Sequence, residues 1–368
     1  MKQNPKHSNA IAYIRQLCCS GLDKDIVIPE FLRAVQTVIP SGNNTFSGVD
    51  GHLNNAYHLT EFITPELDEV TPAVISSFFT PQRLSLCAGW FRQHSVLADA
   101  SVLDKSFYKS ELYNLVYRRF DQHYFLIAPV LQDGRPSGML GLYRPRHQKP
   151  FDSREQALCT QLLPYLAHAL RGGGDKNIQY GEPGLPGMMV MDTQGTILYL
   201  TNEAKSLLVL ACQPMLSQDT RNQEAALMAR LAQLCQNLQA IFKGKHAAPP
   251  SWCHTNGRGR FTFRACWLER LNQEPGRMIS MTIEHQEPLV LKILRALQGS
   301  PLSPVQKQVA LLLAQGASNE KIGEHLHIKL STVKEHVSKI FDKLGIYRRE
   351  ELLPKLLALE NPSSIRLM

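Results

Sequence analysis

The chain is most informative first in what it lacks. Its 368 residues contain no apolar run long enough to cross a bilayer, which takes ~20 consecutive residues. The opening MKQNPKHSNA has no apolar core of the kind that forms a secretory signal. A cytoplasmic location and no membrane contact are therefore expected. Eight cysteines are present. Cys18 and Cys19 are adjacent, and Cys87, Cys159, Cys212, Cys235, Cys253 and Cys266 are scattered. None forms a CxxC pair or a zinc-finger spacing with histidine, so no metal site is expected. They read as buried thiols, with redox sensing by one of them the less favoured alternative. No nucleophile elbow, P-loop, HExxH or paired-carboxylate signature occurs, so neither an enzyme nor a cofactor is expected. The N-terminal half also lacks the acidic pair and the repeated βα rhythm of a phosphorylated receiver.

What is present is ample apolar content, 43%, with a net charge of +8. The length suits two or three domains, and the charge suits a polyanionic partner while remaining only moderately basic. The clearest punctuation lies in residues 302–349. Ser303, Pro304 and Gln306 form a capping box with proline at the first helical position. Val309, Leu312 and Leu313 follow at helical spacing, and Gln315-Gly316 supplies a stop. Ser318 caps a second helix with Ile322 and Leu326 on its apolar face. After a break at His327–Lys329, a third helix carries Val333, Val337, Ile340, Phe341 and Leu344, and ends at Gly345. Two short helices, a tight break and a third helix match the tri-helical plan that reads DNA. The polar face of the third helix is Thr332, Lys334, Glu335, Ser338, Lys339, Asp342 and Lys343. A helix in the major groove needs such a face, with cations for phosphates and donors and acceptors for base edges. Periodicity alone equally suits an amphipathic hairpin with a solvated charged face.

The residues themselves resemble the LuxR-type helix-turn-helix domain of bacterial transcription regulators. The matching positions are Leu302-Ser303, Val309, Leu313-Ala314, Gly316, Ser318-Asn319, Ile322, Leu326, Ile328, Thr332-Val333-Lys334, His336-Val337, Ile340, Lys343-Leu344-Gly345 and Arg348. Four departures stand out. Val305-Gln306 replaces Arg-Glu, Gln308 replaces Glu, and Gly323 replaces a small alanine. Lys329 stands where a serine or threonine usually caps the recognition helix, a loss of about 1 kcal/mol. Ser331 would compensate if the helix began later. The resemblance implies double-stranded DNA as partner and a homodimer reading two half-sites ~34 Å apart. It places the third helix in the major groove. The DNA-contact candidates are Lys334 and Lys339 first, then Thr332, Glu335 and Ser338, with Asn319 and Lys343 near phosphates. Glu335 either accepts from a cytosine amino group or pairs with Lys339 four residues on. A fourth helix, residues 350–359, is where the family often pairs subunits, although Pro354 would disturb it.

Residues 1–171 read as an α+β domain. Helical spacing is visible in residues 10–19 and again from Pro29 to Val38, with Pro29 at the first helical position. Strands are expected at 124–131 and 139–143 around a turn at 133–138, followed by Pro150–Ser153 and a long helix with Glu155 in its first turn. This order resembles the end of a GAF domain. A sensory pocket between sheet and covering helices is expected, with Trp90, Tyr108, Tyr113 and Tyr124 as ligand-binding candidates; ordinary core packing is the commoner role of such rings. A linker follows at 172–184, beginning in a triple glycine. Residues 185–285 resemble a PAS domain in the order strand, Asp192-Thr193-Gln194-Gly195, strand, Asn202-Glu203-Ala204, helix, although the last motif is one residue short. A helix over 222–242, a loop over 244–259 and strands at 260–268 and 277–284 complete it. Residues 286–301 form a connector helix, and 302–368 the helix-turn-helix domain.

The expected architecture is thus multidomain, with two α+β sensory-type domains, GAF-like then PAS-like, followed by an all-α tri- or tetra-helical helix-turn-helix domain. The expected function is a sequence-specific DNA-binding transcriptional regulator modulated by an unidentified small-molecule effector or a partner at its N-terminal domains. The rivals are a protein-interaction adaptor and a DNA-binding regulator without a ligand.

Overall fold

A computed structural model describes residues 5–49, 55–60, 89, 91, 94–98, 106–171, 178–212, 220–269 and 277–360. The first α+β unit contains helices α1 (Pro5–Cys18), α2 (Lys24–Val35) and α3 (Ser153–Arg171). Its strands are β1 (Thr45–Val49), β2 (Asn55–Thr60), β3 (Leu97–Ala98), β4 (Tyr124–Gln132) and β5 (Arg135–Arg144). They form an antiparallel sheet in the order β2-β1-β5-β4-β3. Three helices cover one face. Phe46, Leu126, Ala128, Val130, Leu140 and Leu142 from the sheet meet Ile14, Leu17, Phe31, Leu32, Leu162 and Leu166 from the helices. The other face carries Phe107, Leu112, Val116, Phe125 and Tyr143.

Three local features differ from the sequence expectation. α2 begins at Lys24 rather than Pro29, because the Asp23 side chain caps it by accepting from the Asp25 N–H at 2.8 Å. Pro29 then sits inside the helix, at the loss of one backbone bond. The turn between β4 and β5 is only Asp133-Gly134, with φ of 50° and 77°. Both residues are left-handed, which matches the twist of a two-residue hairpin and lets β5 resume at Arg135. At the start of α3 Glu155, expected only to place acid in the first turn, completes a full reciprocal cap with Asp152. Glu155 N donates to Asp152 Oδ1 at 2.8 Å, and Asp152 N donates to Glu155 Oε2 at 3.0 Å.

The second unit contains β6 (Gly187–Met191), β7 (Ile197–Leu200), α4 (Asn202–Ala211), α5 (Thr220–Phe242), β8 (Ser251–Asn256), β9 (Gly259–Leu268) and β10 (Met278–Gln286). Its sheet order, β7-β6-β10-β9-β8, is the same permutation as in the first unit. Met189, Met191, Phe261, Phe263, Ile279, Met281 and Ile283 pack under Leu208, Leu227, Leu231 and Leu234 of the helices. The loop expected at 244–259 contains a strand, β8. Its residues alternate between exposed and half-buried, and it pairs with β9 from Ser251↔Arg264 to Asn256↔Gly259. The turn after β6 is held by Asp192, whose Oδ1 accepts from Gln194 N and Thr196 N, both at 2.8 Å. Gly195 closes it at φ 92°, where a Cβ would stand 2.5 Å from the Ala232 Cβ.

Residues 178–184 run back along the end of β10. Gly184 N donates to His285 O, Gly181 N to Glu287 O, and Leu289 N to Gln179 O. Leu289 opens the connector helix α6 (Leu289–Gly299). One side of α6 adds Leu291 and Leu294 to the core of the first unit, and the other adds Ile293, Ala296 and Leu297 to the C-terminal core. That core belongs to α7 (Pro304–Ala314), α8 (Asn319–Leu326), α9 (Leu330–Leu344) and α10 (Leu352–Leu359). Pro354 is the third residue of α10, where its missing N–H has no helical acceptor to lose.

A buried charge cluster ties these parts together. Arg295 of α6 donates to both oxygens of Glu287 (2.8 and 3.0 Å) and to both of Glu30 on α2 (3.3 and 3.2 Å). Glu360, just past α10, lies 3.6 Å from Arg295 and 3.5 Å from Lys292. Arg33 and the Tyr13 hydroxyl complete the ring around Glu30 at 2.6 and 2.9 Å. Three carboxylates and three cations therefore meet where both α+β units and the C-terminal bundle touch.

Candidate nucleic-acid interface

The C-terminal bundle is assembled from caps and a small core. Ser303 Oγ accepts from Gln306 N at 3.4 Å, and Gln306 Oε1 accepts from Ser303 N at 2.9 Å, so the capping box is complete. Ser318 caps α8 by accepting from Lys321 N at 3.3 Å. α8 ends at His327, which is left-handed at φ 54°, and α9 starts three residues later at Leu330. Ile322 and Gly323 of α8 are buried against α9, and a Cβ at Gly323 would stand 3.0 Å from Ile328 O. The glycine therefore keeps the turn close. Val309, Leu313, Ile322, Val333, Ile340 and Leu344 fill the centre. Lys329 occupies the cap position of α9 without a side-chain bond, and Ser331 lies inside the helix.

This packing leaves one face of α9 in solvent. Lys334, Glu335, Ser338 and Lys339 are exposed, and Thr332 is half-buried at the first turn. Lys339 Nζ lies 2.5 Å from Glu335 Oε1. The contact holds the Glu335 carboxyl below the usual glutamate value. An exposed pair of this kind is worth little, so both side chains are free to exchange partners on a polyanion. Glu320, also exposed, is held low by its own backbone N–H and the Ser318 hydroxyl, with Lys334 adding to them.

The remaining candidates are placed differently. Lys343 is exposed, but its Nζ donates to Gln306 Oε1 at 2.9 Å and to Pro301 O at 3.3 Å, joining α9 to the start of α7. Asn319 is half-buried at the first position of α8, with an Oδ1 that has no partner among the described residues. Two exposed cations were not among the contact candidates, Lys321 in the first turn of α8 and Lys329, noted only as a lost cap, at the start of α9. Their position at helix N-termini flanking the turn was the available signal.

Residues 300–354 match the family described as bacterial regulatory proteins, luxR family. These residues are a LuxR-type DNA-binding domain. No curated protein sequence matches the chain. Among solved structures, the VqsR LBD domain from Pseudomonas aeruginosa is 17% identical over 39% of this chain and 85% of its own, at a TM-score of 0.29. The GAF domain/HD domain protein from Geobacter sulfurreducens is 18% identical over 40% and 93%, at 0.27. The VqmA–ligand–DNA complex of Vibrio cholera is 16% identical over 47% and 82%, at 0.23. Likeness at these scores carries no structural argument, and the LuxR-type assignment stands on the domain itself.

Tyr108 and Tyr113 of the first unit pack on the sheet face opposite the helices. Tyr108 stacks on His123 with centroids 4.7 Å apart, Tyr113 donates from or accepts at its hydroxyl to His123 Nδ1 at 2.6 Å, and Tyr124 meets the same imidazole edge-on at 4.7 Å. Three of the four aromatic candidates thus converge on His123. Burial pushes the His123 pKa down, helped by Arg146. Trp90 lies outside the described residues. Among the described cysteines, Cys18, Cys159 and Cys235 are buried and Cys19, Cys253 and Cys266 are exposed. Burial pushes the Cys159 thiol up to about 12, which leaves it protonated at neutral pH.

Proposed function

We propose that the protein is a non-enzymatic, cytoplasmic transcription regulator. Acting as a homodimer, it binds specific duplex DNA sequences through α9, and its two N-terminal α+β units modulate that binding in response to a small molecule or a partner. We read those units as GAF-like and PAS-like. The observation that carries the DNA reading is the exposed polar face of α9 on a LuxR-type domain. Lys334 and Lys339 are its leading contacts, followed by Thr332, Glu335 and Ser338, with Asn319 and Lys343 at the margin. The sensory reading is supported by the connector. α6 is shared between the core of the first unit and the core of the DNA-binding domain, so a shift in one reaches the other through packed side chains.

Retention of the full chain on random-sequence duplex DNA, followed over a salt series, tests the reading. Selective enrichment of a two-part site with half-sites one helical turn apart is expected. Absence of any salt-dependent retention would remove it, and recovery of a protein partner instead would favour an adaptor.

A further inference from the structure

The DNA-binding bundle holds little of the chain's positive charge. Residues 302–360 contain nine lysines and arginines against seven aspartates and glutamates. One of those cations, Lys307, is buried and donates to Gln298 O at 3.1 Å. Phosphate contacts dominate the affinity of most proteins for duplex DNA, so a bundle this close to neutral leaves room for contacts made elsewhere. A basic surface lies at one end of the first unit's sheet. There, residues 118–123 and 144–149 hold five cations and one acid, Asp121. The fold sets the two segments side by side. One leads into β4 and the other leaves β5; Tyr124 is paired with Arg144, and His123 N donates to Arg144 O at 2.8 Å. Both segments are pinned. Asn43 Nδ2 donates to Phe120 O at 2.6 Å, and Gln122 Nε2 donates to Asn43 O at 2.7 Å. Arg144 is buried, and its guanidinium donates to Pro40 O, Lys149 O and Pro150 O at 2.6, 3.1 and 3.3 Å, and to Glu155. It is the internal post on which the loop after β5 is folded.

The side chains outside that post face solvent. Arg146, His147 and Lys149 are exposed, as is Arg118 at the end of a short π-helix, Leu112–Tyr117. Arg119 is exposed too, but it has a partner of its own. Arg146 stands close enough to His123 to help depress its pKa. Of the acids nearby, Asp152 and Glu155 are engaged in the α3 cap and on Arg144, and Asp121 stands exposed among the cations. Guanidinium and ammonium groups held on a pinned backbone suit the phosphates of a duplex. We propose that Arg118, Arg146 and Lys149 form a second DNA-contact surface, which holds phosphates flanking the half-site read by α9. The proposal rests on the DNA reading above and extends it to a surface outside the bundle. One helix joins this surface to the output. Glu30 of α2 holds Arg295 of the connector α6, and Pro40, just beyond α2, accepts from Arg144. Contacts of this kind orient a protein on the duplex without reading its sequence. A movement of the first unit against α6 therefore changes DNA affinity directly.

The test uses the full chain and the duplex enriched in the selection above, either trimmed to its half-sites or flanked on each side by about 15 base pairs, ~50 Å at ~3.4 Å per step. Filter binding over a salt series and hydroxyl-radical footprinting are read for the wild type and for the triple variant Arg118→Gln, Arg146→Gln, Lys149→Gln. The triple variant should bind the flanked duplex about ten-fold more weakly, with a salt slope shallower by about 2–3 at ~0.9 per phosphate. It should lose protection in the flanks, keep it at the centre, and bind the trimmed duplex as the wild type does. An unchanged slope and footprint, in a variant that melts at the wild-type temperature, overturns the proposal and leaves the DNA reading intact. Equal weakening on both duplexes also overturns it, since the substitutions would then act through the bundle. Phosphatidylglycerol vesicles are run in parallel. Retention of the wild type on vesicles, with no effect of the flanks on DNA binding, assigns the surface to anionic lipid instead. If no duplex retains the wild type at any salt, the DNA reading falls, and this proposal with it.

Discussion

At the scale of single residues, the lysines of α9 divide into two kinds. Lys334 and Lys339 stand in solvent, the second paired only with exposed Glu335. Replacing both with alanine should weaken duplex binding and make the dependence of log K on log salt shallower by about 2, since each phosphate contact contributes ~0.9. An unchanged slope in filter binding would show that neither meets a phosphate. Lys343 is already engaged with Gln306 and Pro301. Lys343→Ala should cost about 1 kcal/mol of stability through the lost bonds, seen in urea unfolding, with a smaller effect on the salt slope than either other lysine. The partner of Lys343 is Gln306, which stands where the family usually has glutamate. A neutral carbonyl oxygen serves both the capping box and the lysine, so the departure keeps the geometry and gives up only charge.

At the scale of elements, the recognition helix is under-capped. Lys329 offers no acceptor to the N–H groups at the start of α9. Lys329→Ser should raise the stability of the chain by about 1 kcal/mol, measured as a higher denaturation midpoint with unchanged slope. If the midpoint stays put, those N–H groups already have solvent partners as good. Helices and their stops were largely legible in the sequence, because a cap such as Ser303 or Ser318 and a stop such as Gly345 act within one turn. The start of α2 and strand β8 were not. Asp23 outweighed Pro29 because a cap satisfies an orphan donor, whereas proline is merely tolerated. β8 has few strongly apolar residues. Its existence depends on β9 beside it, which a local pattern does not contain.

At the scale of the whole molecule, the cluster around Arg295 joins segments more than 250 residues apart in sequence, as the 265-residue separation of Glu30 and Arg295 shows. Burial alone would push the Glu30 carboxyl up, but Arg295, Arg33 and the Tyr13 hydroxyl outweigh it and hold the carboxyl below its usual value. A lowered folded pKa gives stability that is present above the unfolded value of ~4.3 and is lost as pH falls through the folded value. Glu30→Gln should therefore lower the melting temperature at pH 7, and the gap from wild type should close below about pH 4. Arg295→Ala removes the guanidinium shared by Glu30, Glu287 and Glu360, leaving Glu30 to Arg33 and Tyr13 and Glu360 to Lys292, and should cost roughly 3–5 kcal/mol. Because α6 bridges two cores, calorimetry of that variant should resolve separate transitions for the N-terminal part and the DNA-binding bundle. A single transition at nearly unchanged temperature would mean the cluster is not what couples them.

The sequence by itself determined the output domain. A helix-turn-helix is built from contacts within a few turns, so its caps, apolar stripes and exposed lysines are all written locally between Leu302 and Arg349. It also marked the strands of the two α+β units where apolar runs were strong, as at Tyr124–Leu131. Only the tertiary structure decided that both sheets share one strand order, that Tyr108, Tyr113 and Tyr124 gather on His123, and that Glu30, Glu287, Arg295 and Glu360 meet. It likewise decided that a cavity opens between the units. Charge pairing and cavity walls depend on distances between segments far apart in the chain, and such distances exist only after the cores have packed.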